Sequence, residues 1–268
     1  MDARSAPAPV LALTRPVSPT LAACELTHRE RVPIDVERAA AQHAGYEAAL
    51  EAAGCRLVPV PAAPALPDAV FVEDTAVVVD EVAVLTRPGA ASRRPEVDGV
   101  AAVLAAHRPV ERIEAPGTLD GGDVLVVGRD AFVGASQRTN DAGTVQLRSI
   151  LGPLGYAVRS VPVTGCLHLK TAVTALTDDL LVVNPAWVDP GAFGERRVLE
   201  VAPGEPLAAN VLRLPDRVLM AAGQPGTRAR LRAALAEVGA GDVGVVEVDV
   251  SELARAEAGI SCCSILLG

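Results

Sequence analysis

The sequence predicts an α/β protein whose five similar units close into a ring. Apolar runs divided by Asp-, Gly- or Pro-containing turns are typical of paired strands. Four such pairs lie at residues 70–86, 123–135, 171–184 and 209–222. Each is followed by a helix-compatible stretch and a further strand-like run, at residues 110–115, 156–163, 197–201 and 243–250. Alternating helices and strands indicate the α/β class, and hairpin pairing favours a ring of small mixed sheets over a doubly wound sheet.

The fifth unit is divided between the two ends of the chain. A strand-like run begins at Ile260, while residues 10–14, a helix-like stretch at 35–53 and a strand-like run at 55–60 open the sequence. Pairing of the two ends would close the ring. Because no Ser-, Gly- or Pro-rich linker interrupts the pattern, we expect residues 1–268 to form a single domain.

Two of the connecting helices have clear end signals. Asp35 is a typical N-cap and Gly54 ends the first of these helices. Thr139 or Asn140 can cap the second, and the helical spacing directs Val145 inward.

Residues 16–34 form a long irregular segment between the first strand and the first helix. Loops of this length are uncommon unless they are functional. The segment is therefore either a lid over a site or a surface excursion.

Composition and charge limit the classes of function. A net charge of −9 and 2% aromatic residues argue against nucleic-acid binding, which needs basic stripes and stacking rings. No apolar run approaches the roughly 20 residues that cross a bilayer, and residues 1–7 lack the hydrophobic core of a signal peptide. Five cysteines, an odd number without disulfide-like spacing, fit a reducing compartment. We predict a cytoplasmic protein with no nucleic-acid or membrane partner.

A polar residue stands where each strand pair begins. Equivalent positions of a closed repeat ring point toward one axis, so these side chains should converge. They are Glu73 and Asp74, Asp120, His168, Asn210 and Cys262.

Cys262 and His168 together suggest thiol chemistry. A cysteine in an apolar run is usually a packing residue, and a single histidine is usually structural. Cysteine catalysis needs a thiolate and a proton partner, and His168 is the one histidine at the start of a strand pair. If residues 260–267 form a strand, Cys262 and Cys263 lie on opposite faces, so only one of them faces the axis.

The carboxylates indicate the charge of the substrate. As separate features they can be caps of turns, particularly Asp120 before two glycines. A thiolate surrounded by carboxylates is unfavourable unless a cation completes the site. A guanidinium fits because it is planar, charged and matched by carboxylates in pairs.

Several linked motifs resemble the dimethylargininase (dimethylarginine dimethylaminohydrolase) family of the guanidino-group-modifying pentein superfamily. The motifs run in order from Phe71 to the C-terminal end: residues 71–77 (FVEDTAV), 86–94 (TRPGAASRR), 118–125 (TLDGGDVL), 133–140 (VGASQRTN), 167–170 (LHLK) and 261–264 (SCCS). The resemblance implies one catalytic domain with the fold of a five-bladed α/β propeller of ββαβ units. It also implies hydrolysis of Nω-methylated L-arginine to L-citrulline and dimethylamine or methylamine. The partner would be a small guanidino amino acid, with no metal or organic cofactor, in a monomer or homodimer.

The same resemblance implies roles at the reacting end of the site. Cys262 matches the nucleophile, which forms a covalent S-alkylthiouronium, and His168 matches the general acid and base. Glu73, Asp74 and Asp120 match the carboxylates on the guanidinium side.

Further matches concern the amino-acid end of the substrate. Asp68 matches the contact to the α-amino group, and Arg93 and Arg138 match the contacts to the α-carboxylate. Leu26 falls near a lid leucine and Ala256 near a backbone contact, although residues 256–259 depart from the expected placement of glycine.

Three alternatives to this function stay open at the level of sequence. Arginine deiminase uses the same chemistry with ammonia as the leaving group. Another guanidine hydrolase or an amidinotransferase is a second alternative, although Arg93 and Arg138 favour a substrate with a carboxylate. A metal-binding or redox-sensing module built on Cys262, Cys263 and His168 is the third, but it lacks one ligand for tetrahedral zinc.

Overall fold

The computed structural model describes residues 9–268, and this part of the chain forms five three-stranded sheets. Residues 1–8 of the predicted single domain lie outside the described residues. They include residues 1–7, which are expected to lack the hydrophobic core of a signal peptide. The strands, in chain order, are β1 (Leu11–Thr14), β2 (Arg56–Pro59), β3 (Ala76–Val78), β4 (Ala83–Leu85), β5 (Val110–Arg112), β6 (Val124–Val127), β7 (Asp130–Ala135), β8 (Ala157–Pro162), β9 (Val173–Ala175), β10 (Leu180–Val183), β11 (Arg197–Glu200), β12 (Val211–Arg213), β13 (Arg217–Ala221), β14 (Gly244–Val248) and β15 (Ile265–Leu267).

All five sheets have the same topology. Two strands pair antiparallel, and a third strand pairs in parallel with one of them, which is the middle strand of the sheet. In the sheet β6-β7-β8, for example, Val124 lies opposite Val133, and Ala131 lies beside Val158. The ring of small mixed sheets predicted from the sequence is therefore present.

The two ends of the described chain complete the fifth sheet. β15 pairs antiparallel with β1, with Leu267 opposite Leu11, and β1 pairs in parallel with β2. The division of one unit between the chain ends is confirmed.

Helices connect the second and third strands of four sheets. They are α1 (Val36–Ala52), α2 (Glu96–Leu104), α3 (Asp141–Leu151) and α5 (Pro225–Glu237), and two shorter helices are α4 (Leu169–Ala172) and α6 (Ser251–Ala254). Between β10 and β11 the predicted helical stretch is only a 3₁₀ turn, Pro190–Phe193, because Pro190, Gly191 and Gly194 leave no uninterrupted helical segment. Residues 9–268 contain no helix with both the length and the apolar character of a membrane span.

The helix caps follow the sequence signals, whereas one predicted side-chain orientation differs. The carboxylate of Asp35 accepts the Arg38 N–H at 3.0 Å, and Gly54 ends α1 in the left-handed region. Asn140, rather than Thr139, caps α3 by accepting the Gly143 N–H at 2.8 Å. The inward orientation predicted for Val145 is wrong, because its side chain is exposed.

Each unit enters its first strand through one helical turn, and these turns position the polar residues. They are Val72–Thr75, Gly121–Asp123, α4, Pro206–Ala209 and Ser261–Cys263. Neighbouring turns contact one another around the ring. The first strands then line a central cavity of about 340 Å³.

Candidate active site

The structure places most of the predicted site residues around one small pocket of about 10 Å³. The predicted residues that line it are Asp68, Asp74, Arg93, Arg138, His168, Ala256 and Cys262. The other predicted residues, Glu73, Asp120 and Leu26, are not part of its wall. A cavity of about 560 Å³ lies beside this pocket and shares Leu167, Glu257 and Ala258 with it, but its wall includes neither Cys262 nor His168.

Cys262 lies in a 3₁₀ turn, Ser261–Cys263, and not in a strand. The predicted strand alternation of the two cysteines is therefore wrong, because β15 begins only at Ile265. The two thiols are nevertheless in different surroundings. Cys262 lines the pocket, whereas Cys263 is 1% exposed and belongs to an apolar core cluster.

The environment of Cys262 disfavours a thiolate when no cation is bound. Burial raises the pKa of the Cys262 thiol well above its ordinary value, and the charges of Glu73 and Asp74 raise it further. One contact acts in the opposite direction, because the Gly259 N–H donates to Cys262 Sγ at 3.3 Å. A bound cation would offset the two carboxylates and so favour the thiolate.

His168 is buried between two carboxylates. Its Nε2 lies 3.0 Å from Asp120 Oδ2, and its Nδ1 lies 3.7 Å from Asp74 Oδ1. Burial lowers the pKa of His168, but Asp74 and the hydrogen bond with Asp120 outweigh it and raise the pKa to about 9. The imidazole is therefore charged at neutral pH and carries a proton that it can donate.

Gly122 allows this close approach of His168 and Asp74. A Cβ atom at position 122 would lie 2.6 Å from both Asp74 Oδ1 and His168 Nδ1. The Gly122 N–H also donates to Asp74 Oδ1 at 3.0 Å. The glycine pair after Asp120 thus serves the packing of the site as well as the turn.

Asp74 is held in its charged form. Its Oδ2 accepts a hydrogen bond from Arg93 at 2.6 Å. Burial raises the pKa of Asp74, but His168 and Arg93 outweigh that effect and lower the pKa to about 2. Asp74 therefore supplies a negative charge beside Cys262 at neutral pH.

Asp120 differs from the expected contact with the guanidinium. It is fully buried behind His168, and its second oxygen accepts the Gly89 N–H at 2.8 Å. Because it does not reach the pocket, its carboxylate orients the imidazole instead.

Glu73 also differs from the expected contact. It faces the central cavity, where its carboxylate pairs with Lys170 Nζ at 2.6 Å and accepts the Ser261 hydroxyl at 2.8 Å. Sequence reasoning did not assign Lys170 or Ser261, although both lie in motifs that carry the family resemblance. Glu73 is therefore behind Cys262, where its charge acts on the thiol.

The two predicted carboxylate-binding arginines have different surroundings. Arg93 is buried and pairs with Asp74 and, at 2.8 Å, with Glu96, and it donates to the Phe71 carbonyl at 3.2 Å. Arg138 donates to Thr27 Oγ1 at 2.9 Å, and among the described residues no carboxylate lies within ion-pair distance of it. Arg138 thus presents a buried positive charge to the pocket.

Asp68 and residues 16–34 form the outer side of the pocket. Asp68 accepts the Glu25 N–H at 3.1 Å, and burial raises its pKa. The segment is irregular except for a 3₁₀ turn, Leu21–Ala23. Leu26 is half-buried and packs against the apolar core that contains Cys263.

Glu257 joins residues 16–34 to the loop before Cys262. Its carboxylate accepts the Thr27 N–H at 3.0 Å and the His28 N–H at 2.6 Å. Glu257 has a φ of 60°, a left-handed conformation that is uncommon for a residue other than glycine. The neighbouring Ala256 is buried and lines the pocket.

Asp74, Asp120 and His168 have ligand atoms within 4.8 Å of one another, a spacing compatible with a metal ion. The same carboxylates accept backbone N–H groups, and Asp74 also pairs with Arg93. The backbone N–H groups and Arg93 therefore offset the charges of the two carboxylates, which in turn hold the His168 imidazolium. This arrangement differs from that of a metal site.

Comparisons with known proteins agree with this geometry. The family model described as "Arginine deiminase" matches residues 60–206, more than half of the chain. N(G),N(G)-dimethylarginine dimethylaminohydrolase of Streptomyces coelicolor is 45% identical over 258 residues, which are 96% of this chain and 96% of that protein. The chain belongs to the dimethylarginine dimethylaminohydrolase family.

Solved structures of this family share the fold. The dimethylarginine dimethylaminohydrolase of Pseudomonas aeruginosa, a Cys-to-Ser variant complexed with citrulline, has a TM-score of 0.88 and 34% identity, and the match covers 96% of this chain and 98% of that chain. An adduct of a His-to-Gly variant with S-methyl-L-thiocitrulline has a TM-score of 0.87 and 34% identity, covering 96% and 99%. The family resemblance and the five-bladed α/β propeller predicted from the sequence are confirmed.

Proposed function

We propose that this protein hydrolyses Nω-methylated L-arginine to L-citrulline and dimethylamine or methylamine. The observation that carries the proposal is that the Cys262 thiol and a protonated His168 line one pocket together with the charged Asp74. It is thus a hydrolase of C–N bonds other than peptide bonds. Membership of the dimethylarginine dimethylaminohydrolase family and the citrulline bound in a solved relative support the same substrate class.

The first half of the reaction replaces the amine with sulfur. The guanidinium of the substrate balances Asp74 and Glu73, and the Cys262 thiol then loses its proton to solvent, because His168 is already protonated. The thiolate attacks the guanidinium carbon, and the C–N bond to the methylated nitrogen breaks as His168 protonates the departing amine. A covalent S-alkylthiouronium on Cys262 remains.

The second half restores the enzyme. His168, now neutral, accepts a proton from water as the oxygen adds to the thiouronium carbon. The C–S bond breaks, the Cys262 thiolate leaves, and the remaining hydroxyl proton passes to solvent as the carbon becomes the ureido group of citrulline. Asp120 keeps the imidazole oriented through both halves, as its 3.0 Å contact with Nε2 requires.

Substrate entry needs movement of the outer wall. A pocket of about 10 Å³ has room for about one water molecule, so it cannot admit an amino acid. We propose that residues 16–34 act as a lid, since their contacts with Glu257, Asp68 and Arg138 are hydrogen bonds that can exchange with the substrate.

Arginine deiminase activity is the second candidate, because the arginine deiminase family model matches residues 60–206. The test is citrulline release from asymmetric dimethylarginine, monomethylarginine and arginine under identical conditions. We expect the methylated substrates to be preferred. Turnover of arginine without the methylated forms would contradict the proposal. The thiol-based metal or redox module is disfavoured because Cys263 is in the core.

Arg138→Ala should chiefly weaken substrates that have an α-carboxylate, because its guanidinium reaches the pocket without a carboxylate partner among the described residues. We expect kcat/KM for dimethylarginine to fall by ~10–10²-fold, the scale of a lost hydrogen bond to a charged group. Alkylguanidines without that carboxylate should be poor substrates for the wild type and little affected by the substitution. Arg196→Ala, which breaks an ion pair with Asp130 elsewhere, is the control. Equal losses on both kinds of substrate would indicate a structural role for Arg138.

The negative charges of Glu73 and Asp74 should be visible in the reactivity of Cys262. A cationic haloacetamidine should inactivate the wild type faster than a neutral haloacetamide of similar intrinsic reactivity, because the cation offsets the carboxylates. Asp74→Asn should reduce the ratio of the two second-order rate constants. Glu96 is the other ion-pair partner of Arg93 and does not line the pocket. Glu96→Gln is therefore the control and should change the ratio less. A ratio near one in the wild type would remove the electrostatic support for a guanidinium substrate.

A further inference from the structure

Asn210 is the polar residue at the start of the fourth strand pair, and the proposed reaction assigns no role to it. Its side chain is buried, and it makes three hydrogen bonds. Its Nδ2 donates to the Lys170 carbonyl at 2.8 Å and to Ser261 Oγ at 2.9 Å, and its Oδ1 accepts the Ser261 N–H at 3.0 Å. The carboxamide therefore binds both the backbone and the hydroxyl of the residue directly before Cys262.

These contacts belong to a closed circuit of hydrogen bonds that joins four units of the ring. Lys170 Nζ pairs with Glu73 at 2.6 Å, and Glu73 accepts the Ser261 hydroxyl at 2.8 Å. Ser261 Oγ accepts from Asn210, which in turn donates to the Lys170 carbonyl. Because every member is held by two others, the turn that carries Cys262 is fixed in direction as well as in place.

The side chain of Asn210 also packs against the backbone of Gly259. A Cβ atom at position 259 would lie 2.3 Å from Asn210 Oδ1 and 2.4 Å from its Cγ, so the backbone of Gly259 lies directly against the carboxamide. The N–H of the same glycine donates to Cys262 Sγ at 3.3 Å. One side chain thus contacts both ends of the turn between Gly259 and Cys262.

We propose that Asn210 is a positioning residue for the nucleophile, which holds the Gly259–Cys262 turn so that the Gly259 N–H points at Cys262 Sγ. An N–H aimed at sulfur stabilises the thiolate over the thiol and acts from a fixed position. The inference rests on the proposed function only in its effect on turnover, since the reactivity of the thiol can be measured without a substrate.

Asn210→Ala would release the turn from both ends. The buried Ser261 N–H would lose its acceptor, and Gly259 would lose the carboxamide beneath it. The substitution removes none of the other groups that face the thiol, namely Glu73 and Asp74 from the turn before β3, His168 from the turn before β9, and Cys263 from the turn of Cys262 itself.

The experiment compares alkylation of Cys262 by neutral iodoacetamide in ligand-free wild type, Asn210→Ala and Asn184→Ala. Asn184 is matched to Asn210 because its side chain is equally buried, at 4% exposure, and it bonds the Pro206 carbonyl in the turn that leads to Asn210. At one pH below the pKa of the thiol, the rate reports the thiolate fraction. The site of modification is read from the fragment masses of the peptide that contains both Cys262 and Cys263. Cys24, Cys55, Cys166 and Cys263 are buried and should react slowly.

We expect Asn210→Ala to slow alkylation by about tenfold and to lower kcat by about tenfold or more, with KM changed by less than about threefold. Asn184→Ala should leave the alkylation rate and kcat close to those of the wild type, even if both variants lose thermal stability. Ser261→Ala, which keeps the Asn210–Ser261 backbone contact but removes the hydroxyl link, should give a smaller decrease and serves if Asn210→Ala does not fold.

Faster alkylation of Asn210→Ala would overturn the inference, because it would mean that the carboxamide only shields the thiol. Equal effects of Asn210→Ala and Asn184→Ala would also overturn it, since both would then act through general loosening of the Pro206–Ala209 turn. If wild type failed to turn over methylated arginine, the proposed function would fail, while the alkylation rates would still decide the role of Asn210.

Discussion

Cys262→Ser should abolish citrulline release from dimethylarginine, whereas Cys263→Ser should retain most of it. The serine hydroxyl is far less acidic than a thiol, and loss of a covalent nucleophile typically costs roughly 10⁴-fold or more in kcat. Cys263 is 1% exposed in an apolar core and does not line the pocket, so its replacement places a hydroxyl among apolar side chains. That change should cost about 1–3 kcal/mol of unfolding free energy while the remaining folded enzyme stays active.

The measurements for this pair are kcat from steady-state citrulline release and the thermal unfolding midpoint. Cys262→Ser should keep the midpoint of the wild type, because Cys262 is only half-buried. Cys263→Ser should lower the midpoint and keep kcat. If Cys263→Ser were the inactive variant, the nucleophile would be assigned to the wrong cysteine.

The order of strands and helices in this ring can be predicted from the sequence because each unit repeats the same apolar pattern and the same kind of turn residues. The apolar runs predict the strand pairs and the third strand of each unit. The runs at the two chain ends each lack a partner within their own unit, which predicts that they pair, as Leu11 and Leu267 do. The sequence does not show which of two adjacent residues caps a helix when both are able to. Thr139 and Asn140 can both cap a helix, but the Thr139 hydroxyl donates to Asp123 at 2.6 Å and leaves the cap to Asn140.

The direction of side chains within the site was the part that sequence could not supply. The residues that begin each strand pair were expected to converge, and neighbouring turns do contact one another. Within one turn, however, adjacent residues point to different places, so Asp74 reaches the pocket while Glu73 faces Lys170 in the central cavity. A turn of three or four residues changes side-chain direction by about 100–120° per residue, and no periodic pattern in so short a segment reveals it. The same limit hid the placement of Asp120 behind His168.

His168→Ala should lower kcat/KM by at least ~10²-fold, the usual scale for a positioned acid and base. The alanine variant keeps Cys262 and the charge of Asp74, so substrate should still bind while the amine departs without a proton donor. His43→Ala, at another buried histidine, is the control, since His43 lies on α1 outside the pocket wall. Activity near that of the wild type in His168→Ala would remove His168 from the mechanism and direct attention to His28 in residues 16–34.

The pH dependence tests the same residue through its carboxylate partners. The pKa of His168 is raised to about 9, so the proton that the leaving amine needs is present below that pH and is lost as pH rises through it. We therefore expect kcat/KM to fall above about pH 9, and Asp120→Asn should move this decrease to lower pH because one stabilising carboxylate is gone.

The same pKa shift makes the stability of the fold depend on pH. Because the pKa of His168 in the folded protein is above the unfolded value of about 6.5, protonated His168 should stabilise the fold fully below about pH 6.5 and lose that effect between about pH 6.5 and 9. Urea unfolding of wild type and His168→Ala across this range measures it: the wild type should lose free energy of unfolding relative to the variant as pH rises. A constant difference would mean that Asp74 and Asp120 do not hold the proton on His168, and the acid role assigned to this residue would lose its physical basis.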